Sequence, residues 1–156
     1  MSKLADMAAQ GKVYGIDYSE TSVVAAKRKN AHLIATGQVQ ILQGSVSRLL
    51  FPDETFDLVT AVETHFFWPD LSTDLCEVRR VLKPGGELVM IAEAYSGGKT
   101  LSGAVAEKVI QATGMTLLTL EEHKELLDRT GFSEVRIIEQ SDRGWMCASG
   151  RKPLIS

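Results

Sequence analysis

Short apolar runs separated by amphipathic helical stretches recur along the chain, and this alternation leaves few folds open. Lys12-Val13-Tyr14-Gly15-Ile16-Asp17 reads as a short buried strand, followed by a helix that Ser19 can cap. On that helix Val23, Ala26, Leu33 and Ile34 share one face, Lys27-Arg28-Lys29 faces water, and Gly37 suits the left-handed residue that closes it. The pattern returns in Val39-Gln40-Ile41-Leu42 and again in Phe56 to Val62. Asp70 opens a further helix, on which Leu71, Leu75, Val78 and Leu82 recur at spacings of four, three and four. Lys83-Pro84-Gly85-Gly86 reads as a turn, and Glu87 to Ala94 as the next strand. Such alternation favours a three-layer α/β domain with a mostly parallel central sheet.

The two ends fit the same frame. Ser2 to Gln10 reads as the end of a helix closed by Gly11, and Leu101, Val105, Val109 and Ala112 favour a helix within Ser96 to Thr113 despite Gly97, Gly98 and Gly103. Thr119 and Glu122 form a capping box for a helix that stops near Gly131. Glu134 to Gln140 and Gly144 to Ser149 then read as two last strands, an antiparallel hairpin.

Composition excludes several function classes. Seventeen Lys and Arg stand against 20 Asp and Glu, a formal net charge of −3 in 156 residues, so no basic surplus points to nucleic acid. No apolar run approaches the ~20 residues that cross a bilayer, and Met1-Ser2-Lys3-Leu4-Ala5-Asp6 lacks an apolar signal segment. We therefore expect one cytoplasmic domain spanning 1–156 that binds neither membrane nor nucleic acid. Cys76 and Cys147 lie in unrelated contexts, and His32, His65 and His123 are scattered. No disulfide framework and no metal site is expected.

Ligands of open α/β sheets bind at the carboxyl ends of the strands, which singles out Asp17, Gly44-Ser45, Glu63 and Tyr95. The Asp17 carboxylate can accept two hydrogen bonds at once, the arrangement that grips the vicinal hydroxyls of a ribose. Asp17-Tyr18-Ser19 reads equally well as a turn and helix cap. Gly97-Gly98-Lys99-Thr100 fails as a phosphate loop, because Glu93 stands where its first glycine belongs. His65-Phe66-Phe67-Trp68-Pro69 favours core or sheet-edge packing over a substrate wall, with Trp68 the exception. His65 and Glu63 are the weak candidates for a catalytic base.

Val13 to Ser19, Phe51-Pro52-Asp53-Glu54-Thr55-Phe56-Asp57-Leu58-Val59 and Val78-Arg79-Arg80-Val81-Leu82-Lys83-Pro84-Gly85-Gly86 occur in that order. Together they resemble the class I S-adenosylmethionine-dependent methyltransferases, of the type 11 kind, over nearly the whole chain. The resemblance implies a Rossmann-like seven-stranded sheet whose last strand is antiparallel, with S-adenosyl-L-methionine lying across the carboxyl ends of the first four strands. It implies that Asp17 holds the cofactor ribose, that Tyr18 packs against the adenine, and that Gly44, Ser45 and Val46 meet the adenine edge. Ser45 departs from the acidic residue common there. Glu63 and Thr64 would border the methionine part and the methyl group.

The family opens with a strand and a glycine-rich loop, and Met1 of this sequence falls in or near the first helix instead. The expectation is thus an N-terminally incomplete domain or a rearranged sheet, which a second copy of the chain could complete by strand addition. The function expected is methyl transfer to an unidentified small molecule. The alternative is a noncatalytic remnant or interaction module of the same fold. A nicotinamide-dependent oxidoreductase would share the acidic strand end but leaves the segments at 56–59 and 83–86 unexplained.

Overall fold

The computed structural model describes residues 1–99, 103–140 and 142–154. The chain packs as two compact units, Met1–Leu50 and Phe51–Ser156.

In the first unit, α1 (Ser2–Met7), α2 (Glu20–Lys29) and α3 (Ala31–Ala35) accompany the strands β1 (Val13–Asp17) and β2 (Val39–Gln43). The strands pair in parallel, from Val13 opposite Val39 to Asp17 opposite Gln43. Ala5, Val13, Val23, Val39 and Ile41 are buried, with Leu4, Ala26, Leu33 and Ile34 packed against them. The apolar positions expected to share a helix face therefore do meet the core, but one expected helix is two. Asn30 leaves the helical region at φ −110° and ψ 21°. Its amide donates to the Ala26 carbonyl at 2.8 Å, which its own backbone N–H also reaches at 3.1 Å. A side chain competing with the backbone in this way favours a break.

In the second unit, β3 (Phe56–Val62) leads through a 3₁₀ turn (His65–Phe67) into α4 (Leu71–Val81) and β4 (Leu82–Ala92). Then come α5 (Gly103–Thr113), α6 (Leu120–Arg129), β5 (Ser133–Gln140) and β6 (Trp145–Arg151). The strand order is β3-β4-β6-β5. β3 and β4 are parallel and β6 is antiparallel to both neighbours, so the expected closing hairpin is present and β3, β4 and β5 point one way. Leu75, Val78, Val81, Leu82, Leu88, Met90, Leu127 and Met146 are fully buried, which places Leu75 and Val78 of the expected helix stripe in the core; Leu71 is half-buried, and Leu82 opens β4 instead of closing the helix. β1 and β2 form a sheet of their own rather than joining the other four strands, and among the described residues β1 and β3 each pair with one strand.

Two expectations are corrected here. Lys83 to Gly86 is not a turn before β4 but a bulge inside it, since Phe56 pairs with Leu82 and Leu58 already with Glu87. The segment keeps strand character because Gly85 N–H donates to the Lys152 carbonyl at 2.8 Å and Lys152 N–H returns to the Gly86 carbonyl at 2.9 Å. Gly85 sits at φ +78°, which a residue with a Cβ adopts only under strain. The helix expected within Ser96 to Thr113 begins at Gly103, residues 96–99 being irregular, and Leu101 and Thr100 lie outside the described residues.

The Thr119 capping box is present in both directions, Glu122 N–H to Thr119 Oγ1 at 3.1 Å and Thr119 N–H to Glu122 Oε2 at 2.7 Å. Thr119→Ala removes one half of it, and the unfolding free energy should fall by about 1 kcal/mol, read from urea midpoints at constant slope. Among the described residues no helix is long and apolar enough to cross a membrane.

Candidate functional site

In the first unit the tips of β1 and β2 end together. Gly44 N–H donates to the Asp17 carbonyl at 3.0 Å, and Gln43 Nε2 donates to the Tyr18 carbonyl at 3.1 Å. Ser45 and Val46 follow in a tight turn, in which Ser47 N–H donates to Ser45 Oγ at 3.2 Å and Arg48 N–H to the Ser45 carbonyl at 3.2 Å. Asp17, Tyr18, Gly44, Ser45 and Val46 thus share one rim. Ser19 N–H donates to Asp17 Oδ1 at 2.8 Å, and Ser19 Oγ in turn accepts from Ser22 N–H at 3.3 Å. The turn-and-cap reading of Asp17-Tyr18-Ser19 is therefore correct as local structure. It uses one carboxylate oxygen; the other makes no hydrogen bond among the described residues, and Asp17 is exposed. Tyr18 is 78% exposed, its ring open to a flat ligand.

In the second unit Glu63 occupies the tip of β3 at φ +55°, left-handed backbone that a non-glycine residue rarely takes. Its N–H donates to the Ile91 carbonyl at 2.9 Å and its Oε1 accepts from Glu93 N–H at 2.6 Å, so one residue fastens the tip of β3 to that of β4. Partial burial, helped by the nearby Glu93 charge, raises the Glu63 carboxyl above its ordinary value against the opposing pull of the Glu93 N–H. Such a carboxylate can accept a proton or a hydrogen bond. Thr64 is exposed, and its hydroxyl takes no part in capping the 3₁₀ turn.

His65 is not a candidate base. It is 2% exposed, and burial, with His123 beside it, pushes its pKa down to about 4. Its Nε2 lies 3.0 Å from His123 Nε2, and His123 Nδ1 lies 2.7 Å from the Thr119 carbonyl oxygen. A carbonyl only accepts, so His123 carries its proton on Nδ1 and presents a bare Nε2. The proton between the rings then belongs to His65 Nε2. His65 Nδ1 is left as a buried acceptor with no hydrogen-bond partner among the described residues.

The aromatic run divides, and Phe67 departs from the packing expected of it. Phe66 is buried, Phe67 is half exposed, and Trp68 lines a cleft of about 400 Å³ together with Leu118, Leu126 and the charged groups of α6. Tyr95 does not face a ligand space: it is 2% exposed and its hydroxyl donates to Glu139 Oε1 at 2.7 Å, which raises its pKa. Sequence reasoning passed over His123. The buried residues His123, Leu126, Leu127 and Thr130 fall on one helix face, a spacing that would have placed this histidine inward. Nothing local marked the bond from Glu63 to Glu93. Among the described residues no three of His, Cys, Asp or Glu cluster to hold a metal ion.

The sequence profile of the family described as a methyltransferase domain matches residues 1–90, through both strand tips. The chain belongs to this family. A demethylmenaquinone methyltransferase of Bacillus licheniformis is 37% identical over 89 residues, covering 56% of this chain and 37% of that protein. The match thus spans little more than a third of that relative. Among solved structures, a SAM-dependent methyltransferase from Aquifex aeolicus has a TM-score of 0.75 at 22% identity, covering 97% of this chain and 74% of that one. Haemonchus contortus phosphoethanolamine N-methyltransferase 2, solved with S-adenosyl-L-methionine, reaches 0.79 at 16% identity, covering 91% and 43%. At such identities these likenesses establish the Rossmann-like fold of the methyltransferases.

Proposed function

We propose that the chain is an S-adenosyl-L-methionine-dependent methyltransferase, which transfers a methyl group to a small-molecule acceptor. The observation that carries this reading is Asp17: an exposed carboxylate at a strand tip, one oxygen held by a turn and the other directed to no protein group. The held oxygen fixes the side chain in advance, so less freedom is lost when a ribose hydroxyl binds. In the first unit Tyr18 is assigned to the adenine face and Gly44, Ser45 and Val46 to its edge. In the second, Glu63 and Thr64 are assigned to the methionine part. The family match through residue 90 includes all of these positions. Methyl transfer from a sulfonium is a direct displacement, and holding donor and acceptor in line supplies much of the acceleration. Glu63 is the group suited to take a proton where the acceptor must lose one.

Calorimetric titration with S-adenosyl-L-methionine tests the reading. Micromolar binding is expected, and Asp17→Ala should weaken it about 10- to 100-fold, the worth of a charged hydrogen bond. Absence of heat at millimolar ligand would instead favour a noncatalytic module of the same fold. The strand edge of β3, where Leu58 and Val62 are exposed, supports addition of a strand from a second copy. Light scattering at micromolar concentration should then report a dimer.

A further inference from the structure

Glu125 and Arg129 stand one turn apart on α6, the spacing at which a carboxylate and a guanidinium ordinarily meet, and both line the cleft beside Trp68. They do not meet. On the same helix Lys124 and Asp128, with identical spacing, close to 2.8 Å. Glu125 and Arg129 form no hydrogen bond or ion pair with each other or with any other described residue. The cleft's other two carboxylates are each held through one oxygen. Asp70 Oδ1 accepts from Ser72 and Thr73 N–H at 3.0 Å each, and Glu122 Oε2 caps Thr119 N–H at 2.7 Å. These N–H bonds hold both carboxyls below the usual range. What the cleft offers a ligand is a carboxylate and a guanidinium on α6 that are in no ion pair among the described residues, two further carboxylates pinned by backbone N–H groups, and an apolar wall of Trp68, Leu118 and Leu126.

We propose that this cleft binds a small zwitterion with an apolar or aromatic side chain, an α-amino acid or a molecule built like one. Its ammonium meets Glu125, its carboxylate meets Arg129, and its side chain lies against the Trp68 indole. Bidentate pairing makes a guanidinium the favoured partner for a carboxylate, and an aromatic face suits an aromatic guest. A cleft of about 400 Å³ falls within the range of small-molecule sites. Every residue invoked lies in the second unit, so the inference stands apart from the methyl-transfer reading and its test needs no cofactor.

The test is titration of the whole chain with L-phenylalanine, phenethylamine and 3-phenylpropionate, followed by the Trp68 indole N–H resonance, which Trp68→Phe identifies. L-Phenylalanine should shift that signal with a Kd on the order of a millimolar or tighter. Each half-molecule should bind at least tenfold more weakly. Glu125→Gln and Arg129→Gln are exposed changes that leave the circular dichroism spectrum intact, and each should weaken L-phenylalanine at least fivefold. Glu125→Gln should leave 3-phenylpropionate unaffected. Binding of phenethylamine as tight as that of L-phenylalanine would overturn the proposal, as would an unmoved Trp68 signal or variants that bind like the parent.

Discussion

Acidification from pH 7 to pH 4 is expected to remove about 3 kcal/mol of stability through His65 alone. The pKa of this histidine stands at about 4 in the folded chain, against 6.5 for the free side chain. Between those values the unfolded chain binds a proton that the folded chain refuses, so stability is present above pH 6.5 and lost as the pH falls toward 4. His123 is also held low by burial, the Thr119 carbonyl and the Glu122 charge pulling the other way, and it adds to the same loss. The structural cause is first burial: a proton added to His65 would go to Nδ1, which is buried with no hydrogen-bond partner among the described residues, and the charge would sit beside His123. A proton added at His123 Nε2 would face the His65 Nε2–H across 3.0 Å, with no acceptor left in the contact. Urea unfolding across this range should therefore show a rising midpoint from pH 4 to pH 6.5. His65→Leu/His123→Leu, which removes donor and acceptor together, should flatten that rise. An equally steep rise in the double variant would sink the assignment, as would ring-proton resonances of His65, assigned with a His65→Leu variant, that titrate near 6.5 in the folded parent.

The second large effect is expected from one methyl group. A Cβ added at Gly86 would lie 2.9 Å from the Lys83 carbonyl oxygen, 3.0 Å from that of Phe56 and 3.2 Å from that of Asp57. All three are backbone atoms, so no rotamer change relieves the contact, and the bulge in β4 or the end of β3 must move. Gly86→Ala should cost about 3 kcal/mol, the upper part of the range for overpacked sites. Gly37→Ala is the control. Its Cβ would meet nothing within 4 Å, and the strain there comes from φ +75° alone. About 1 kcal/mol is expected for it. Thermal unfolding of the two variants decides the matter, and a Gly86→Ala midpoint no lower than that of Gly37→Ala would show that the bulge yields easily.

The elements were legible because burial leaves a period in sequence. The stripe Leu71, Leu75, Val78, Leu82 told of a helix, though Leu82 itself opens β4; the tips at Asp17 and Glu63 told of strand ends, and Thr119 with Glu122 told of a helix start. What the sequence hides is hydrogen bonding between segments far apart. Lys83-Pro84-Gly85-Gly86 carries every local sign of a turn, and the pairing of β3 with β4 on either side of it, with the bonds to Lys152, makes it a bulge. Asn30 is one polar residue in a good helical pattern, and its break depends on where its amide points. The site shows the same division. Asp17 and its neighbours at 44–46 follow from strand order, whereas the cleft required knowing which side of α6 faces Trp68. His65 looked like a neutral-pH base on residue type alone, and burial removed that role.

The clasp at Lys152 has a consequence for the order of events as the chain is made. Besides its two backbone bonds to Gly85 and Gly86, its ammonium donates to the Leu82 carbonyl at 2.8 Å. Three hydrogen bonds that shape the start of β4 thus come from a residue synthesised long after that strand. On a ribosome, the start of β4 would lack these three bonds until Lys152 had cleared the exit tunnel.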